Sequence, residues 1–259
     1  MRIFLIIDET PFYQPDFVAE LISDTKEEIV GAALVTKVLP KNNIEKYMIR
    51  NFHYLTSLEL IKLGLKKTYF VMKNYFSKFI RINSFYSVKN VYEYFGIEYF
   101  NIEYNINKEK YINKIKAKSP DIIISSNSLI FGEKLLSIPK YCINRHSALL
   151  PSYGGLWPVF QAVRRNEKIV GVSVHTMDKK IDKGILLAQK EIAINKGDTV
   201  DILYQKCFGI SASVVMDALD KIKNNKNLIA LSNKYEPSYY SFPKKNHWKD
   251  FRKRNMRFI

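Results

Sequence analysis

The side chains best suited to chemistry lie in two short segments of this 259-residue chain. Residues 144–151 read Asn-Arg-His-Ser-Ala-Leu-Leu-Pro, and residues 175–184 contain Asp182, which follows His146 by 36 positions. Asn144 and His146 are two residues apart, so at the end of a strand both side chains would leave the same face. An amide, an imidazole and a carboxylate delivered from a distant loop would together suit acyl transfer to an amine.

The charges that develop in such a reaction explain these residue types. When a neutral amine attacks a formyl carbonyl, negative charge builds on oxygen and positive charge on nitrogen. The Asn144 amide can donate to the oxyanion, and a preorganised donor of this kind contributes about 3 kcal/mol. His146 can take the amine's proton or, when charged, help to hold the oxyanion. We expect Asp182 to orient the imidazole of His146 and to favour its charged form.

The two segments resemble the folate-dependent formyltransferase family, with the nucleotide-sugar N-formyltransferases as its nearest members. The shared patterns are Asn-x-His-x-x-Leu-Leu-Pro at residues 144–151 and Gly-Val-x-x-His-x-Met-Asp-x-x-Ile-Asp-x-Gly at residues 171–184. The resemblance extends over about residues 120–184. It implies an enzyme that uses N10-formyltetrahydrofolate as formyl donor and no metal, with Asn144, His146 and Asp182 as its catalytic residues.

The resemblance also implies a donor site and an acceptor side. The implied cofactor contacts are Asn127, Ser128, Leu129, Ile130, Leu135, Asp178 and Ile181. Main-chain groups after the buried strand 121–125 would match the edge of a pterin, and the three apolar side chains of the set would form a wall, unless they are simply core residues. Gly155 and Trp157 would line the acceptor side. Family members often carry a basic residue where Gly154 stands, so the acceptor is less defined than the donor.

The remaining histidines and the two cysteines have a weaker chemical context. His175 lies inside the alternating apolar run 170–177 and is interpreted as structural, while His53 and His247 have no recognisable partners in the sequence. Cys142 and Cys207 are far apart and support neither a disulfide framework nor a metal site. The expected compartment is the cytoplasm.

Hydrophobic periodicity predicts an α/β fold that would position these groups. We expect a Rossmann-like open sheet of mostly parallel strands flanked by helices, with the active site at strand carboxyl ends. Strands are predicted at residues 2–7, 29–35, 97–100, 121–125, 170–177 and 185–194. Helices are predicted at residues 16–23, 88–95 with Ser87 and Gly96 at its ends, 107–118 and 158–165, with a long helix opened by Thr199. The catalytic domain would span 1–225, with a helical insertion at about 44–92, and a C-terminal extension, 226–259, would pack on it.

The insertion is strongly basic. Residues 60–92 contain no acidic side chain and seven basic ones: Lys62, Lys66, Lys67, Lys73, Lys78, Arg81 and Lys89. Interleaved aromatic residues predict an amphipathic helical region, which could pack on the core or form a substrate-phosphate surface, a membrane-surface contact or a subunit interface. A homodimer therefore stays open, and no membrane span is expected. The net charge of +16 suits an anionic substrate, but the whole chain is biased toward lysine, which argues against reading it as nucleic-acid binding.

Two further features bear on the acceptor. Residues 8–15, Asp-Glu-Thr-Pro-Phe-Tyr-Gln-Pro, lack the glycine-rich turn that holds a phosphate in the glycinamide ribonucleotide enzymes. The tail after Asn225 is too short for the RNA-binding barrel of methionyl-tRNA formyltransferases. We therefore predict formylation of a nucleotide-linked amino sugar for surface glycan biosynthesis. The alternatives are another amine, such as an aminoacyl-tRNA or a peptide, hydrolysis of formyltetrahydrofolate, or a basic nucleic-acid-binding module that is not an enzyme.

Overall fold

Strands and helices alternate along the chain, as the hydrophobic pattern predicts. A computed structural model describes residues 1–39, 43–76, 85–178, 182, 184–224 and 234–259. The strands are β1 (Arg2–Asp8), β2 (Glu28–Lys37), β3 (Tyr99–Glu103), β4 (Ile122–Ser126), β5 (Tyr141–His146), β6 (Gly154–Gly155), β7 (Ile169–Thr176), β8 (Leu186–Ala193) and β9 (Tyr239–Tyr240). The helices are α1 (Gln14–Asp24), α2 (Ile44–Arg50), α3 (Ser57–Phe76), α4 (Val88–Tyr94), α5 (Glu109–Ala117), α6 (Glu133–Leu136), α7 (Pro158–Arg164), α8 (Val200–Gly209), α9 (Ser211–Lys223) and α10 (Lys245–Lys253).

Seven of these strands form one sheet in the order β3-β2-β1-β4-β5-β7-β8. The pairs from β3 to β5 are parallel, whereas β7 is antiparallel to β5 and β8 is antiparallel to β7. The chain order reverses between β1 and β4, and ligands of open α/β sheets bind in the crevice at the carboxyl ends of the strands at such a point. The predicted Rossmann-like, mostly parallel sheet is confirmed.

Both faces of the sheet are buried. Ile3, Leu5 and Ile7 of β1 point into a large core cluster that helices such as α1, α4, α8 and α9 cover, and Phe4 and Ile6 point into a smaller cluster beside α5. Because side chains alternate along a strand and both faces are covered, β1 is a continuous apolar run with no polar alternation.

The predicted starts of α4 and α8 are confirmed by their caps. The Ser87 hydroxyl accepts a 3.0 Å hydrogen bond from the Asn90 N–H, and the Thr199 hydroxyl accepts one of 3.2 Å from the Ile202 N–H. Each side chain therefore satisfies a main-chain donor that the first turn leaves without a helical partner. The glycine predicted to stop α4, Gly96, has φ +66°.

Two predicted elements differ from the structure. The strand predicted at 97–100 is instead Tyr99–Glu103, because the Ile97 N–H still donates to the Tyr92 carbonyl, 2.8 Å away, and closes the end of the preceding helix. The long helix predicted after Thr199 is divided at Ile210 into α8 and α9.

The C-terminal residues pack on the core of the sheet domain. Trp248 and Phe251 of α10 are 2% and 0% exposed within the large core cluster. The Trp248 indole N–H donates to the Tyr47 hydroxyl at 2.8 Å, and β9 pairs with β6. The predicted boundary between catalytic domain and extension lies at residues 225–226; residue 225 begins a stretch, 225–233, outside the described residues, so the boundary stays a prediction.

Within its described residues, 44–76 and 85–92, the predicted helical insertion contains α2, a 3-10 turn (Phe52–Tyr54), α3 and most of α4. Lys78 and Arg81 lie at 77–84, outside the described residues. Within the described chain, one stretch, Val200–Lys223, is long and apolar enough to cross a membrane by length and composition. This stretch is α8 and α9, whose buried side chains belong to the large core cluster, and core helices of globular proteins pass the same test. It is weak evidence for a span.

Candidate active site

β5 carries the two predicted catalytic residues to its carboxyl end. Asn144 and His146 are partly exposed on one face of the strand, and Arg145 between them is buried on the other. The Arg145 Nε donates to the Ser211 hydroxyl at 2.8 Å. The alternation of a strand therefore brings the amide and the imidazole to the same side, as the spacing of two predicts.

β7 adds a second imidazole to this side. Its antiparallel register places His175 opposite Asn144, with the Asn144 Nδ2 3.4 Å from the His175 Nε2. The His175 Nδ1 lies 2.8 Å from the Thr176 carbonyl oxygen, which can only accept, so Nδ1 carries the proton and Nε2 accepts from Asn144. Burial lowers the pKa of His175, although Asp182 acts in the opposite direction. Burial favours the neutral form of the His175 ring. The hydrogen bonds require the same form, because Nε2 must be unprotonated to accept from Asn144.

Asp182 reaches the same cluster from the loop after β7. Its Oδ2 accepts a 2.8 Å hydrogen bond from the Gly155 N–H, and its Oδ1 lies 3.7 Å from the His175 Nε2. Its side chain is only 11% exposed. The backbone of Asp182 has φ +54°, a left-handed conformation that aspartate tolerates better than most residues.

The structure thus joins Asn144 and Asp182 through His175, with His146 on the same face of β5 as Asn144, and it changes one expected contact. We expected the carboxylate to orient His146, whereas the imidazole it contacts is that of His175. The reason is the antiparallel pairing of β5 with β7, which inserts His175 beside the amide. The alternating apolar neighbours of His175 indicate a structural residue; its place inside the second family motif is the signal that could have identified its role.

The turn after His146 is held by hydrogen bonds from the sheet. The Ser173 hydroxyl donates to the Ala148 carbonyl at 2.6 Å and accepts from the Leu150 N–H at 3.0 Å. This turn returns the Tyr153 carbonyl to the imidazole, with its oxygen 3.4 Å from the His146 Nε2. His146 is therefore oriented by main chain that β7 fixes.

Side-chain amides shape the loop after β4, where the donor site is predicted. The Asn127 Nδ2 donates to the Ile6 carbonyl at 2.9 Å, and its Oδ1 accepts from the Leu129 N–H at 2.8 Å. The Asn107 amide likewise bridges the Ile130 carbonyl, at 2.9 Å, and the Gly132 N–H, at 2.6 Å. Both ends of the loop are therefore fixed before any ligand binds.

The predicted donor contacts have different environments. Ile130 is 56% exposed and Leu129 is partly buried, so both can present an apolar surface. Leu135 is fully buried in the smaller core cluster and supports the loop without offering surface to a ligand. Asp178 is exposed, and Ile181 lies outside the described residues.

The carboxyl end of β1 borders the same crevice. Ser128 donates to the Asp8 Oδ2 at 3.1 Å, while the Asp8 Oδ1 is inaccessible and has no hydrogen-bond partner in the described protein. Burial raises the pKa of the Asp8 carboxyl to about 7. The next strand neighbour, β4, separates Asp8 from β5, so about 10 Å lies between the two strand ends.

Of the two predicted acceptor residues, Gly155 lies at the candidate site and Trp157 lies in the core. Gly155 contacts Asp182 through its N–H, whereas Trp157 is 7% exposed and packs in an aromatic cluster. The rings around Trp157 are those of Tyr47, Phe160, Phe242, Trp248 and Phe258. Trp157 therefore offers little surface to an acceptor, because helix α10 and the chain end cover it.

Known proteins are similar to this chain both in sequence and in fold. A family model described as formyl transferase matches residues 86–219. This range includes Asn144, His146, His175 and Asp182, which we call the polar cluster. The methionyl-tRNA formyltransferase of Caldanaerobacter subterraneus subsp. tengcongensis is 32% identical over 160 residues, which cover 61% of this chain and 52% of that protein. The chain thus spans about half the length of the curated relatives it matches, between 37% and 52%.

Solved structures extend the similarity to most of the chain. A phosphoribosylglycinamide formyltransferase from Anaplasma phagocytophilum has a TM-score of 0.58 at 17% identity, and covers 87% of this chain and 88% of its own. A sugar N-formyltransferase from a Shewanella strain has a TM-score of 0.55 at 20% identity, and covers 93% and 77%. At such identities the likeness concerns the fold alone. The family model matches just over half of the sequence, and the chain therefore belongs to the formyl transferase family.

Proposed function

We propose that this protein transfers a formyl group from N10-formyltetrahydrofolate to the amine of a nucleotide-linked amino sugar. The observation that carries the proposal is the convergence of Asn144, His175 and Asp182, with His146 beside them, at the carboxyl end of β5. An amide donor, a titratable imidazole and a carboxylate are the groups that formyl transfer to an amine requires.

Each side chain has a separate task in this proposal. The Asn144 nitrogen carries two hydrogens; one is directed to His175, and the second donates to the formyl oxygen as negative charge develops there. His146, held by the Tyr153 carbonyl, would accept the proton that the attacking amine releases and return it to the donor nitrogen from which the formyl group departs. Asp182 stabilises the positive charge on that nitrogen or on an imidazole. His175 is a positioning residue, because it acts through the amide and the carboxylate.

The loop after β4 fits the donor. The tetrahydrofolate supplies the formyl group when it is bound, and its flat pterin needs an apolar surface beside main-chain donors and acceptors. Ile130 offers an exposed apolar side chain at a strand end. Asn127 and Asn107 hold the surrounding main chain, so the surface is preorganised.

Asp8 is the residue that favours an amino sugar as acceptor. An acidic side chain at the end of β1, with Glu9 following it, opposes a phosphate at that position. Because the Asp8 Oδ1 is inaccessible, this carboxyl fixes the strand end through Ser128 and leaves no phosphate-binding group there. The net charge of +16 suits the nucleotide diphosphate that such an acceptor would carry.

Formylation of an aminoacyl-tRNA is the second candidate. The curated relatives with 32–36% identity are named methionyl-tRNA formyltransferases, and a basic surface also attracts RNA. Hydrolysis of the donor is a third outcome, because water could replace the amine. We place the activity in the cytoplasm, since Cys142 and Cys207 are both unpaired and buried.

A panel of acceptors with one donor separates these activities. The purified protein is incubated with N10-formyltetrahydrofolate and with nucleotide-linked amino sugars, with methionyl-tRNA, or with no amine, and the products are measured by mass spectrometry. We expect a mass gain of one formyl group on an amino sugar. Formyl-methionyl-tRNA would support the second candidate, and release of formate without an amine would support hydrolysis.

Variants connect that turnover to the cluster. His146→Ala and Asp182→Ala are each expected to abolish most turnover and to leave the far-UV circular dichroism unchanged. His247→Ala, a histidine of α10, serves as the matched control and is expected to keep wild-type turnover. Wild-type rates in either cluster variant would refute the assignment.

A further inference from the structure

The longest described helix of the insertion, α3, turns charged side chains toward the protein. Glu59 is 3% exposed and accepts from the Arg252 guanidinium at 2.5 Å. Lys66 lies 2.5 Å from Asp201 of α8, and both side chains are largely covered. The ion pairs anchor the inner side of the helix, where apolar residues normally lie.

The outer side of α3 is apolar. Side chains spaced by three and four residues occupy one face of a helix, and the outer set is Leu58, Ile61, Leu65, Thr68, Met72 and Tyr75. The apolar members are between 53% and 66% exposed. Exposed apolar patches of this kind mark surfaces that contact a partner or a membrane.

The charges around this outer face point to an anionic partner. Residues 60–92 contain no acidic side chain; Lys62 flanks the outer face on one side, and Lys67 lies farther round the helix. The Lys67 side chain is 71% exposed and that of its partner Glu45 is 72% exposed, so their 3.4 Å contact holds the lysine only weakly. The net charge of the chain, +16, adds to the attraction.

A second copy of this chain would be a poor partner for the face. The spacing of the outer residues is that of a coiled coil, but the flanking positions offer Lys62, Tyr69 and Phe76 on one side and Ser57, Gly64 and Val71 on the other. None of these six flanking positions is acidic, so none of them can pair with a lysine across a two-fold axis. Two copies would instead place the Lys62 of each chain at the shared contact without an acidic partner, which disfavours association.

We propose that the outer face of α3 docks on an anionic lipid bilayer, with the helix axis in the plane of the membrane. Leu58, Ile61, Leu65 and Met72 enter the boundary between head groups and acyl chains, and Lys62 extends to the lipid phosphates from the edge of the face. Lys67, farther round the helix, adds to the attraction between the helix and the anionic surface. This contact is a surface attachment. It is independent of the proposed formyl transfer, because none of these side chains belongs to the polar cluster.

Flotation of the full chain with vesicles tests the proposal. We expect binding to vesicles of phosphatidylcholine mixed with phosphatidylglycerol, and weak binding to phosphatidylcholine alone. Leu65→Gln should lower the partition coefficient about tenfold, and the double variant with Met72→Gln further, because each change removes one inserted apolar side chain. The matched control, Tyr94→Gln, changes a residue of α4 with similar exposure, 62% against 66%, and should bind as the wild type does.

Charge is tested separately. Lys62→Gln with Lys67→Gln should reduce binding roughly tenfold or more, since each lysine near an anionic surface contributes about 1 kcal/mol. Lys108→Gln with Lys116→Gln, exposed lysines at α5, removes the same charge elsewhere and should have a smaller effect. Absence of wild-type binding, equal loss in the α3 and control variants, or a stable dimer that Leu65→Gln dissociates would each overturn the proposal.

Discussion

Gly155 of β6 contacts both the Asp182 carboxylate and strand β9 of the C-terminal extension. Its replacement by alanine tests whether the extension holds Asp182 in place. Its N–H donates to Asp182, while its backbone pairs with Tyr240 of the C-terminal extension. A Cβ at this position would lie 2.1 Å from the Tyr240 carbonyl oxygen, and the residue has φ +89°. Alanine can be accommodated only if β6 moves away from β9, which displaces the donor from the carboxylate.

The expected cost follows from these contacts. Relief of the overlap costs about 1–3 kcal/mol, and loss of a hydrogen bond to a charged group costs about 1.5–3 kcal/mol. We therefore expect the free energy of unfolding to fall by about 3 kcal/mol or more. Because a catalytic group misplaced by about 1 Å loses on the order of 100-fold in rate, kcat for formyl transfer should fall by a similar factor.

Gly197 provides the matched control. It has φ +96°, and nothing lies within 4 Å of an added Cβ, so Gly197→Ala incurs backbone strain of about 1 kcal/mol without overlap. Urea unfolding and formyl-transfer rates are measured for both variants and the wild type. Gly155→Ala with wild-type kcat, or with no greater loss of stability than Gly197→Ala, would refute the coupling of the extension to Asp182.

Three further predictions concern the site. Asn144→Ala should lower kcat about 100- to 1,000-fold at unchanged circular dichroism, because it removes the proposed oxyanion donor; a loss below about tenfold would contradict that role. His175→Phe should lower kcat about tenfold by removing the acceptor of the Asn144 amide, whereas His53→Ala, at an exposed ring, should not change it. Burial raises the pKa of Asp8 from 3.8 to about 7, so the folded protein retains a proton that the unfolded chain loses, and stability should decrease from about pH 4 to pH 7 by up to about 4 kcal/mol. Asp8→Asn should flatten this dependence in urea titrations, and an unchanged slope would exclude Asp8 as its source.

Local patterns predict most of the sheet. The apolar run of β1 and the cap at Ser87 predict the bounds of β1 and the start of α4 to within about one residue. Side-chain alternation and capping depend only on near neighbours in the chain. The boundary of β3 is less well predicted, since Ile97 is apolar enough for a strand but its N–H closes α4.

Long-range packing decides the residues that the sequence places wrongly or incompletely. His175 has the apolar neighbours of a core residue, and only its register against β5 reveals that it accepts from Asn144. Trp157 looks available for an acceptor until the extension covers it. The outer face of α3 looks like a packing surface until Glu59 and Lys66 are found on the inner side.

The sequence by itself determines the chemical groups and the face they share: Asn144 and His146 leave β5 on one side because strand geometry is local. The tertiary structure alone decides which imidazole meets the carboxylate of Asp182. That contact depends on the antiparallel pairing of β5 with β7 and on the loop that returns Asp182 to Gly155. Both arise from packing between residues distant in the chain, which no local pattern records.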